Sequence, residues 1–113
     1  MIAFYISEIK NQLGNFESKP FKEINKGDVV EFHHHLCSYR IVSHMGKLDI
    51  DFKASDFNHW FDVDLCFEMV TGTRIISKKF EDQLEKLEVV YHGLGVLKEK
   101  ELIKLGRSRL FDS

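Results

Sequence analysis

Three consecutive histidines, His33, His34 and His35, precede Cys37 in a segment whose apolar residues alternate. Side chains two apart on a strand share a face and stand about 7 Å apart along it. His33 and His35 therefore fall on one side and His34 on the other. Downstream, Asp49 and Asp51 alternate with Leu48, Ile50 and Phe52. An HxH strand beside a DxD strand can supply donors for a divalent ion, with imidazole favouring zinc, iron or nickel. The same four residues also describe a solvated sheet face. No helical HExxH pair accompanies them, and Cys37 and Cys66 lie in apolar contexts, where a free thiol behaves as a small hydrophobe. The expectation is no cofactor, with a metal module built from His33, His35, Asp49 and Asp51 as the alternative.

Other chemistry is less well supported. Nucleophilic catalysis needs a base beside an activated thiol or hydroxyl, and no GxSxG turn is present. Gly93-Leu94-Gly95 neither follows a strand nor continues as a phosphate loop. His34 reads as a core histidine beside Val30 and Phe32, His59 as the mouth of an element, and His92 as a helix-end residue able to bond terminal carbonyls.

Charge distribution says more than the net value of −2. Between positions 49 and 68 stand Asp49, Asp51, Asp56, Asp62, Asp64 and Glu68 against the single Lys53, while 98–109 is mildly basic. The near-neutral total argues against nucleic acid or an acidic membrane as partner. A local negative field instead suits a protein partner with a basic cleft.

These residues need elements to hold them. Ile2, Ile6, Ile9 and Leu13 form a helical stripe ending near Gly14 or Asn15, and 17–27 reads as a connection. Period two then takes over: Val30, Phe32, His34 and Leu36 point inward, opposite Val29, Glu31, His33 and His35. His44-Met45-Gly46-Lys47 supplies a turn into the clean alternation of 47–53. In 57–70, Phe61, Val63, Leu65, Phe67 and Met69 alternate with Asp62, Asp64, Cys66 and Glu68, which favours a strand over a helix capped at Asp56. Ile76, Phe80, Leu84, Leu87 and Tyr91 mark a helix with Ser77 as N-cap and an Asp82–Lys86 pair. A short last helix stops at Gly106, with 107–113 as a loose tail. The fold class expected is α+β: an N-terminal helix, an antiparallel meander of three to four strands, and two C-terminal helices packed on one sheet face.

At 113 residues, 43% hydrophobic and with ten phenylalanines, the chain is sized for one domain over 1–113 with its own core. Two cysteines make no disulfide framework, the N-terminus lacks signal-peptide features, and no run spans a bilayer. The cytoplasm is the expected location.

The runs FHHHLCSYRIVSHMGKLDIDF, FDVDLCF and LEKLEVVYHGLGVL resemble a group of small bacterial domains associated with polymorphic-toxin loci and thought to act as immunity proteins. The matching positions are Phe32, His33, Leu36 and Cys37, then Asp49, Asp51 and Phe52, then Phe61 and Asp62, then Leu84, Leu87, Gly95 and Val96, within residues 28–97. The resemblance implies a toxin-binding inhibitor and no catalytic residues. The leading expectation is an immunity or inhibitor-type protein binding a cognate toxin or effector through the outward polar set Glu31, His33, His35, Asp49, Asp51, Asp62 and Asp64. A phage-encoded inhibitor of a host defence enzyme would share the same physics.

Overall fold

The computed structural model describes residues 2–14, 21–44, 47–75, 77 and 79–111. Among them the chain is α+β, as expected, with five strands and four α-helices. Helix α1 (Ile2–Gly14) precedes strands β1 (Lys22–Asn25), β2 (Val29–His33), β3 (Cys37–His44), β4 (Lys47–Ala54) and β5 (Phe61–Asp62). Helices α2 (Val63–Thr71), α3 (Phe80–His92) and α4 (Glu99–Phe111) follow, with a 3-10 turn at Leu94–Val96 before α4. The strands form one antiparallel sheet in chain order.

Period two sorts the sheet into two faces. Val30, Phe32, Tyr39, Ile41, Ile50, Phe52 and Phe61 are buried and meet Ile9 and Leu13 of α1, Val63 and Cys66 of α2, and Leu87 and Val90 of α3 in one core. Tyr39, fully buried, donates its hydroxyl to the Leu87 carbonyl at 2.8 Å, so its polar end is satisfied inside the core. Helix α4 adds buried Leu102 and packs on α2. The opposite face carries half-buried polar residues and, among the described residues, no helix.

Several expectations are corrected. Two short strands raise the count to five: β1 lies inside the segment read as a connection, and its turn into β2 uses Gly27 at φ 83°, a conformation suited to glycine. Its N–H is held by Asn25 Oδ1 at 3.0 Å. Within 57–70 only Phe61 and Asp62 are strand; 57–60 form a loop, and the helix α2 takes over from Val63. The helix starts six residues later than an Asp56 cap would give. Asp62 accepts from the Asp64 N–H at 2.7 Å, and Gly72 closes the other end in the left-handed region. Val63 and Cys66 of this helix are buried in the core.

Strand β2 stops at His33, so His34, His35 and Leu36 form the connection to β3 and Leu36 is exposed rather than inward. The His34 ring still packs inward, stacked on Phe21 at 4.8 Å. Helix α3 starts at Phe80 with Lys79 as cap, while Ser77 bonds the Asp82 side chain. Lys86 turns away from Asp82 into the interior. Helix α4 runs through Gly106 to Phe111, where a tail from 107 was expected; Gly106 lies beside the Leu65 side chain, and Arg109 is anchored by Glu68. The expected turn at Met45-Gly46 and the Ile76 position of the helical stripe lie outside the described residues.

Candidate functional site

Register builds the helix-free face row by row. The first row runs Lys22, His33, Ser38, Lys53 across β1 to β4; the next runs Ile24, Glu31, Arg40, Asp51, Asp62 across all five strands; a third pairs Val29 with Val42 and Asp49. Directly opposed side chains on one face interact most strongly, and the charges in the second row alternate from Glu31 through Arg40 to Asp51. Arg40 donates to Asp51 Oδ2 from Nη2 (2.7 Å) and Nε (3.1 Å). Asp62 faces Asp51 in register but gives a carboxylate oxygen to the start of α2, which relieves the like-charge juxtaposition.

Glu31 is the second hub. It accepts from Lys26 Nζ at 2.6 Å and lies 2.8 Å from His33 Nε2. A carboxylate only accepts, so Nε2 carries the hydrogen and Nδ1 faces Ser38 Oγ at 2.9 Å. The hydrogen bond from Lys26 holds the Glu31 carboxyl below its usual value; desolvation opposes this and His33 adds to it. An open hollow of about 490 Å³ lies over this array, floored by Glu31, His33, Ser38, Arg40 and Lys53 and walled by Trp60. The Arg40 guanidinium sits 4.6 Å and the Lys53 ammonium 5.8 Å from the Trp60 ring centre, within cation–π range.

Trp60 ends a loop pinned from α4. Glu99 Oε2 accepts from the backbone N–H groups of Asn58 (2.7 Å) and His59 (2.9 Å) and lies 3.2 Å from His59 Nδ1. Desolvation pushes the Glu99 carboxyl up, but these donors outweigh it and hold it below 4.5. A depressed carboxyl supports its restraint fully above its ordinary value and loses it as pH falls through the lowered one. Trp60, the only tryptophan, is therefore expected to show an acid-side change in emission below pH 4.5 that Glu99→Gln removes. An identical acid transition in both proteins would contradict the restraint.

The structure divides the predicted site residues. Glu31, His33, Asp51 and Asp62 share the helix-free face, with Asp49 nearer the β3–β4 turn. His35 lies in the β2–β3 connection, its ring 4.1 Å from that of His34. Asp64 leaves the face: it accepts from Lys86 Nζ at 2.6 Å and Gln83 Nε2 at 3.2 Å, between α2 and α3. Glu68 is likewise spent on Arg109. The acidic run is thus not one negative field. Lys26, Ser38, Arg40, Lys53 and Trp60 are the site residues that sequence reasoning missed. The turn expected at His44–Lys47 carries the signal for three of them, because pairing His44 with Lys47 puts Arg40 opposite Asp51 and Ser38 opposite Lys53.

Two chemistries can be weighed against this geometry. The HxH/DxD metal set does not converge: His33 stands opposite Ser38 and Lys53, two strands (about 10 Å) from β4 and a row away from Asp51, and His35 is off the strand. Among the described residues no group of three potential ligands comes together. Ser38, His33 and Glu31 do follow the order nucleophile, base, carboxylate. However, β3 is the central strand and both neighbours take its backbone groups, so Ser38 has no spare pair of N–H groups to hold an oxyanion. Cys37 and Cys66 are buried, and burial pushes the Cys37 thiol up to about 12 and Cys66 higher still. A thiol reagent at pH 8 is expected to label neither cysteine in the folded protein and both in denaturant; rapid native labelling would contradict that burial.

No family model, curated protein or solved structure matches this chain.

Proposed function

We propose that this chain is a non-catalytic binding domain of the immunity or inhibitor type, which holds a partner protein against the helix-free face of its sheet. The observation that carries this reading is the asymmetry of the sheet. Helices cover one face, while the other presents an in-register, hydrogen-bonded array around a single tryptophan. That face has the make-up of a recognition surface: half-buried Val29 and Val42, then Trp60 and Arg40, then a polar rim. The ion pairs fix the side chains in advance, which lowers the entropy lost on docking. Among the described residues no helix is long and apolar enough to cross a membrane.

A toxin or effector enzyme is the partner this reading favours, with the complex forming in the cytoplasm. The resemblance of residues 28–97 to immunity domains supports it, and a phage-encoded inhibitor would use the same surface on a different target. The test is co-expression with the product of the adjacent gene, read as growth protection and co-purification. Both are expected for the parent protein and for Glu81→Lys on the exposed side of α3, and both are expected to fail for Val42→Arg. Loss with Glu81→Lys and retention with Val42→Arg would reverse the assignment of faces.

A further inference from the structure

The geometry points to an extended acidic segment of the partner, laid across the strands along the Lys22–Lys53 row with its chain beside Trp60. This inference rests on the helix-free face being the binding surface and adds the chemistry that the surface reads. Four cations line this part of the face: Lys22, Lys26, Arg40 and Lys53. Lys26 is committed to Glu31 and Arg40 to Asp51. Lys22 and Lys53 enter no ion pair among the described residues. Between them Ser38 is bonded to His33, and His33 in turn to Glu31, so the uncompensated charge of the row is its two ammonium ends.

Spacing then sets the ligand. Lys22 and Lys53 are three inter-strand steps apart, about 14 Å. An extended peptide rises about 3.4 Å per residue and returns to the same side every second residue. Carboxylates at positions i and i+4 therefore reach both ammonium groups from one face of the segment. The Trp60 ring lies against Arg40 and Lys53 at one end, where its half-buried indole offers apolar area to the intervening chain. Nucleic acid fits less well: two unpaired cations release few counterions, and the chain as a whole is acidic at −2.

The test is amide and tryptophan-indole NMR of the full chain titrated with three probes of about equal length: a capped five-residue peptide with glutamate at both ends, its lysine counterpart, and a short oligothymidylate. The diglutamate peptide is expected to shift Lys22, His33, Ser38, Lys53 and the Trp60 indole saturably, with at least fivefold weaker binding in the Lys22→Gln/Lys53→Gln variant, whose changes lie outside the core and whose fold the same spectra check. Shifts of the same face by the lysine peptide alone would overturn the acidic ligand while leaving the face as a binding surface. Stronger binding of oligothymidylate would overturn it in favour of phosphate. No response to the diglutamate peptide, or one unaltered in the double variant, would also overturn it. Failure of the underlying reading is separate, and shows as intact partner binding by Val42→Arg.

Discussion

Replacing Asp64 by alanine is expected to lower the stability of this protein by about 3 kcal/mol, although sequence alone places Asp64 among solvated binding residues. The loss comes from what the substitution leaves behind. The Lys86 side chain is 3% exposed, and its ammonium is held by Asp64 Oδ1 at 2.6 Å and the Ile75 carbonyl at 2.8 Å. Without the carboxylate, a buried charge keeps one neutral acceptor. Removing one partner of a buried pair costs roughly 3–5 kcal/mol, and Asp64, itself 20% exposed, sits at the lower end because water can enter its place. Gln83, which donates to Asp64 and to the Ser77 carbonyl, loses one of its bonds as well. Urea unfolding measures the effect. Adding Lys86→Met should recover much of it, since the unpaired charge is then gone. A loss below about 1 kcal/mol would place Asp64 back among surface carboxylates.

The second large effect is on binding. Trp60→Ala is expected to weaken the partner complex by about 2 kcal/mol or more, roughly 30-fold, because an aromatic anchor in a preorganised setting carries a disproportionate share of interface energy. Folding should suffer less, since the ring stands on the helix-free face under Arg40 and Lys53 rather than in the core. Arg40→Lys tests the support: an ammonium lacks the planar fork with which the guanidinium bonds Asp51 from two nitrogens while its centre stays 4.6 Å from the indole. It should weaken binding in the same direction with the fold retained. Calorimetric titration against the co-purified partner measures both. Unchanged affinity in Trp60→Ala would remove the indole from the interface.

Much of the architecture is legible in the sequence because one period dominates each element. Val30 and Phe32, then Tyr39 and Ile41, then Ile50 and Phe52 alternate inward and are buried as expected. The stripe Ile9 and Leu13 likewise predicts α1. The 57–70 segment misleads because its apolar residues satisfy two periods. What decides is Asp62 as a cap and Gly72 as a stop, and both depend on where the strand before them ends. β1 is hidden because KEIN has a single apolar residue and exists as a strand only through pairing with β2.

The site is legible only in part, for a physical reason. Strand period tells which face a residue takes, so Glu31, His33 and Asp51 are placed correctly, but it does not tell which partner stands opposite. Asp51 looks like a free carboxylate until register sets Arg40 across from it, and Asp64 does so until α3 delivers Lys86. Loop residues are harder still. Trp60 reaches the face because Glu99, about forty residues later, holds the backbone before it.

Cross-saturation NMR of the isotope-labelled chain bound to the product of the adjacent gene tests the central claim most directly. The account predicts saturation transfer to amides around Glu31, His33, Arg40, Asp51 and Lys53 and to the Trp60 indole, with the exposed side of α3 silent. A footprint on the α1 and α3 surfaces, with the helix-free face unaffected, would contradict it.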